Sequence, residues 1–142
     1  MERLDLYLSK DIIESLIIDG STCDITINQG FTFNDVNIHN STGNIKIKNC
    51  IAEKIYIENS TGDIDFSNCN DLGITNIETS TGEIYIANTN FEELNVDTTT
   101  CDVELSNVVV SNDFKMIGST SNLYLDGFDA NNIEVPLSTG DV

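Results

Sequence analysis

Apolar and polar residues alternate in short bursts, and the bursts return every 19 or 20 residues. Each unit can be counted from the Ser or Thr that opens it. The fifth position then reads Ile25, Ile45, Ile64, Ile84, Val103 and Leu123, and the seventh reads Ile27, Ile47, Phe66, Ile86, Leu105 and Leu125. The sixth, between them, is mixed: Thr26, Lys46, Asp65, Tyr85, Glu104 and Tyr124. Apolar, mixed, apolar is the period-two pattern of a strand with one buried face. A second strand precedes each opening residue. Three places before it stand Ile18, Ile38, Ile57, Ile77, Val96, Met116 and Val135. Five before it stand Leu16, Val36, Ile55, Thr75, Leu94, Phe114 and Ile133. No stretch carries the 3.6-residue period of a helix.

The units are punctuated by one phrase. It reads S-T-G-N-I from Ser41, S-T-G-D-I from Ser60, S-T-G-E-I from Ser80 and S-T-G-D-V from Ser138, with altered copies from Ser21, Thr99 and Ser119. A fixed period of this length marks a stacked-coil architecture. The expectation is an all-β, right-handed parallel β-solenoid over residues 1–142, one domain, with about seven coils and two main strands per coil. Like strands should pair in register, with one corner at Ser-Thr-Gly and a looser one opposite that absorbs the alternation between 19 and 20. The chain opens directly in strand-like alternation (Leu4, Leu6, Leu8), which suggests a fragment of a longer protein.

Two further rows fall in the looser corner. Position 10 (Gly30, Cys50, Cys69, Thr89, Val108, Phe128) reads as a third inward row. Position 9 (Asn49, Asn68, Asn88, Asn107) suits left-handed backbone and an amide ladder along the rod. In the phrase itself, Gly should supply a positive φ, hydroxyls should bond turn amides, and Thr at position 2 should form a hydroxyl ladder.

Charge narrows the function. The 24 acidic side chains against 6 basic ones give a net charge of −18. That excludes nucleic acid as a partner, which needs Lys and Arg to displace counterions, and disfavours an anionic membrane surface. No run approaches the ~20 apolar residues of a membrane span, and the opening residues lack the basic and apolar regions of a signal peptide. The acidic side chains fall in rows. Position 4 holds Asp24, Asn44, Asp63, Glu83, Asp102, Asn122 and Asp141; two places before the phrase stand Asp19, His39, Glu58, Glu78 and Asp97. Asp19, Asp24, Glu58, Asp63, Glu78, Glu83, Asp97 and Asp102 therefore form a candidate cation edge on both sides of the corner. Calcium wants six to eight oxygens, so the competing reading is a solvated edge that caps turns. His39, between Asp19 and Glu58, should pair locally.

The chemistry of catalysis is missing. A nucleophilic Ser needs a base and an orienting partner, and the chain has one histidine. A phosphate loop needs a Lys and a following helix. No cofactor is implied. Cys23 and Cys101 stand four coils apart, too far to bridge. Cys50 and Cys69 are neighbours, read as packed free thiols. Free thiols and the absent signal segment point to a reducing, cytoplasmic setting. An ice-binding face is rejected, because position 6 is too mixed.

The cadence apolar-x-apolar-x-x-S-T-G-D/E-I-x-I, with the opening segment Leu4 to Ile27, resembles bacterial adhesin-type β-strand repeat domains of unknown function. Cys23, Cys101 and Ser121 depart from the pattern by replacing Gly. The resemblance implies a non-enzymatic structural or binding module associated with the cell envelope or surface, and supplies no catalytic residues. The acidic edge would suit a protein or cationic peptide partner. The alternative is a self-assembling scaffold resembling bactofilin-type β-helix filaments, polymerising end to end through open strand edges.

Overall fold

The computed structural model describes residues 2–4, 12–28, 30 and 32–142. Leu6 and Leu8 lie outside these. The elements in order are β1 (Glu2–Leu4), β2 (Ile12–Asp19), β3 (Cys23–Asn28), β4 (Thr32–Thr42), β5 (Ile45–Lys48), β6 (Ile51–Thr61), β7 (Ile64–Ser67), β8 (Asp71–Thr120), β9 (Leu123–Glu134) and β10 (Leu137–Thr139). All belong to one sheet wound on itself. Strand β8, at 50 residues, runs more than two turns around the rod without a break.

Every named pairing is parallel, and the rows read from the sequence are the registers. Ile25 faces Ile45, Ile45 faces Ile64 and Ile64 faces Ile84. On the second strand Ile18, Ile38, Ile57 and Ile77 are successive partners. The pattern holds because a one-residue slip would turn the whole apolar set outward. From Ser21 to Ser138 the chain makes six complete turns, with part-coils at either end, so the expected seven is a slight overcount.

The core is a single column. Ile38, Ile45, Ile57, Ile64, Phe66, Ile86, Leu94, Val103, Leu105 and Met116 are fully buried. Each such side chain contributes on the order of 1.5–3 kcal/mol by leaving water. Phe66 meets Phe91 edge-on, with ring centroids 6.0 Å apart. In the last coil the same rows lose their cover, so Leu125 is 38% and Ile133 55% exposed.

Three details differ from the expected cross-section. First, the looser corner is two bends, not one. Asn49, Asn68, Asn88 and Asn107 make the first, all with φ between 50° and 54°. Paired outward residues such as Asn34–Asp35 and Glu53–Lys54 make the second. Between the bends lies a short face whose inward row, Phe33, Ala52, Leu72, Phe91 and Val110, the alternation did not reveal. Its signal was hidden because two outward residues in succession break the period-two pattern on either side. Second, Gly30 is exposed, so the position-10 row begins at Cys50. Third, the additional residue of the longer coils is not always in one place. Asp71 pairs with Ile51 and Ser67 with Lys48, which puts the surplus beside Asn70; farther along, the register shifts between Val110 and Asp113.

Candidate functional site

The Ser-Thr-Gly corner and its two acidic rows form a repeated polar edge, and its construction decides what it can do. Gly43, Gly62, Gly82 and Gly140 have φ of 133°, 133°, 141° and 143°, a region L side chains rarely enter. The coils also approach closely here. A Cβ on Gly62 would lie 2.1 Å from the Gly43 carbonyl oxygen. The expected role of glycine is therefore met. The expected threonine ladder is not: the position-2 threonines are exposed, and no hydrogen bond joins them among the described residues.

Inside the corner sits a buried polar row that sequence reading missed. The residue just before each phrase points inward: Asn40 and Asn59, then Thr79 and Thr98, are 1–6% exposed. Asn59 Nδ2 donates to the Gly43 carbonyl at 3.1 Å, and Asn40 Nδ2 to the Cys23 carbonyl at 3.0 Å. These residues fill space that position 3 leaves empty when it is glycine. Where position 3 carries a side chain, the preceding residue shrinks: Gly20 precedes Cys23, and Gly118 precedes Ser121. A Cβ on Gly20 would meet Cys23 Sγ at 2.5 Å, and one on Gly118 would meet Ser121 Cβ at 2.9 Å. At Thr98 and Cys101 both side chains are kept, and Thr98 Oγ1 instead bonds Ser121 Oγ of the following corner at 2.8 Å. Exchange of glycine between two positions three residues apart was the signal available in the sequence.

The position-4 row works on the backbone. Asp24 Oδ1 accepts from the Asn44 N–H at 2.8 Å, Asn44 Oδ1 from Asp63 N–H at 2.9 Å, and Asp63 Oδ1 from Glu83 N–H at 3.0 Å. Asp102 serves Asn122, and Asn122 serves Asp141, each at 3.0 Å. Asp and Asn are interchangeable in this ladder because only an oxygen acceptor on a short side chain is used. Glu83 is one methylene longer, and no bond from it to Asp102 N–H is present. Asp24, Asp63 and Asp102 are thereby tied to coil-to-coil bonding.

The row two places before the phrase works on side chains. His39 Nδ1 lies 3.0 Å from Glu58 Oε2, the expected local pair. The Tyr56 hydroxyl donates to Glu78 Oε2 at 2.9 Å, and its ring sits 5.6 Å from that of His39. The hydrogen bond to Glu78, then desolvation and the charges of Glu78 and Glu58, push the Tyr56 phenol up to about 12. Glu58 and Glu78, register partners on adjacent coils, are thus drawn to different side chains. Asp19 and Asp97 continue the row as exposed residues.

The eight candidate cation-edge residues are split by the corner into these two rows. No group of three or more His, Cys, Asp or Glu that could hold a metal is gathered among the described residues. Asp63, Glu83 and Asp102 do share the wall of an open hollow of about 490 Å³, beside Cys101, where the corner changes from glycine to side chain. None of the four cysteines is in a disulfide. Cys69 Sγ points at the Ser67 and Ile47 carbonyls, and burial pushes its thiol up, as it does Cys101. Both therefore stay protonated and unreactive at neutral pH. No helix among the described residues is long and apolar enough to cross a membrane.

Neither the curated proteins nor the solved structures contain a match to this chain. A family comparison matches residues 2–142, essentially the whole rod, and by that match the chain belongs to the Toastrack DUF4097 family, whose function is unknown.

Proposed function

We propose that this chain is a non-enzymatic structural and binding module of adhesin type, acting at the cell surface, in which recognition runs by rows along the rod. Register is the observation that carries the reading. Asp19, His39, Glu58 and Glu78 are successive partners on adjacent coils, so a partner meets a carboxylate-rich line at steps of ~4.8 Å. The side-chain oxygens of Asp24, Asn44 and Asp63 and the Asn59 amide nitrogen are occupied in holding coil to coil, which favours display over catalysis. A cationic peptide or a basic protein segment suits the line, since its charges would offset the repulsion along the row. The test is calorimetric titration with oligolysine, with calcium in parallel. Binding of oligolysine that weakens with added salt supports the reading. Heat from calcium alone would replace it with a cation edge, and no heat from either would remove it.

A second reading rests on the last coil. Leu125 and Ile133 belong to inward rows yet are exposed on its open face, and a rung of the same period would cover them. A second copy offers such a rung, giving an end-to-end scaffold. Sedimentation velocity against concentration separates the two: growing species support the scaffold, and a constant monomer eliminates it.

A further inference from the structure

The outward face of the second strand holds a furrow that runs beside the acidic edge and meets it at Glu78 and Asp97. One hollow of about 320 Å³ lies where Asp35 and Lys54 stand beside Asn37 and Tyr56. Another of about 260 Å³ lies farther along, beside Asn95 and Lys115, and the two meet at Asn76. Because the coils are in register, Ile17, Asn37, Tyr56 and Asn76 are consecutive partners across the coils. The furrow therefore runs along the rod and across the strands, for roughly 24 Å from Ile17 to Lys115 at the strand spacing.

Its chemistry is specific in three respects. The Asn37 side-chain oxygen is buried and has no hydrogen-bond donor, an unfavourable state that a donor from a ligand would relieve. Asn95 Nδ2 donates to Asn76 Oδ1 at 3.1 Å, so a line of oriented amides borders the furrow. The Tyr56 ring is fixed by its bond to Glu78 and its contact with His39, which makes it a rigid apolar wall with a polar tip. Beside it, Asp35 and Lys54 are register partners joined by no ion pair. Hydrogen-bonding groups and one aromatic wall together fit a ligand with many hydroxyls and apolar C–H faces.

Other occupants fit less well. Backbone groups on the floor are used in the parallel ladders, so a peptide cannot add as a strand. The net charge of −18 repels a polyanion, while Lys54 and Lys115 stand among the wall carboxylates Asp35, Glu78 and Asp97, so the furrow is not the uniformly acidic line a basic peptide would favour. We infer that the furrow binds an uncharged oligosaccharide lying along the rod axis, with Tyr56 as the stacking wall and Asn37 and Asn76 as hydrogen-bonding partners. This rests on the chain being a binding module, but names a ligand for the furrow, which shares only Glu78 and Asp97 with the acidic edge.

The test is NMR titration of the full chain with maltotetraose, cellotetraose and the N-acetylglucosamine tetramer, followed by oligolysine. At least one sugar should give saturable shifts centred on the side-chain amides of Asn37 and Asn76. Tyr56→Ala should weaken that binding about tenfold, whereas Tyr56→Phe, which keeps the ring, should retain most of it. Glu83→Gln, on the corner, should leave it unchanged. No saturable shift with any sugar overturns the inference, as does unchanged binding in Tyr56→Ala. Oligolysine shifting Asn37 and Asn76 would make the occupant a peptide and overturn it too. Oligolysine shifts confined to His39 and Glu58, with no response to sugars, would sink the furrow and leave the acidic edge standing.

Discussion

Two acidic rows flank the same corner and do different work. In the position-4 row Asp24, Asn44, Asp63, Asp102 and Asn122 turn an oxygen onto the backbone N–H of the neighbouring coil. The row on the other side turns its carboxylates onto His39 and Tyr56 or into solvent. One row is part of the coil-to-coil bonding; the other is display. The difference shows that carboxylates repeated at one spacing beside one corner cannot be pooled into a single site. Asparagine substitutes for aspartate in the first row because the charge is not what the backbone needs.

Removing the turn that holds the rows apart should have the largest effect. Gly62→Ala forces a Cβ to 2.1 Å from a carbonyl oxygen at φ 133°, and should lower unfolding free energy by about 3 kcal/mol or more, read by urea denaturation. Next comes the position-4 ladder. Asp63→Ala should cost about 1–2 kcal/mol by leaving the Glu83 N–H without its acceptor, while Asp63→Asn should be nearly neutral. Glu83→Asp sharpens the comparison from the other side: the shorter side chain restores reach to Asp102 N–H and should stabilise by about 0.5–1 kcal/mol. On the display row, Glu58→Gln should change stability by less than about 0.5 kcal/mol, since its pair with His39 is exposed.

The smallest effect is a titration. The Tyr56 phenol, raised from 10.0 to about 12 by Glu78, is favoured in its protonated form in the folded chain. Its contribution is therefore complete below pH 10 and is lost as pH rises from 10 toward 12. Ultraviolet titration should show its midpoint fall back toward 10 in Glu78→Ala.

Much of the rod was legible because β-solenoid rows repeat the same physical demand. Ile25, Ile45, Ile64 and Ile84 occupy one register because each must face the same column. The Asn row was readable for a similar reason, since a positive φ of 50–54° excludes most other residues. The short face carrying Phe33, Ala52 and Leu72 was not, because the bends on both sides interrupt alternation. The candidate site was legible as two rows but not in its workings. Aspartate at position 4 and glutamate before the phrase carry the same charge, and only the direction of each side chain separates a backbone acceptor from a displayed carboxylate. The inward row at Asn40 and Asn59 was hidden by its polarity, although glycine at 20 and 118, matched to Cys23 and Ser121, records the volume it must fill.

The position-4 row joins coil to coil through oxygen acceptors, not through charge. Replacing Asp24, Asp63 and Asp102 together by Asn tests it most directly, with the triple alanine variant as reference and thermal melting as the readout. The account predicts a Tm equal to or above that of the native chain for the asparagine variant, because the bonds remain and self-repulsion falls, and a clear drop for the alanine variant. An asparagine variant that melts as early as the alanine one would contradict it.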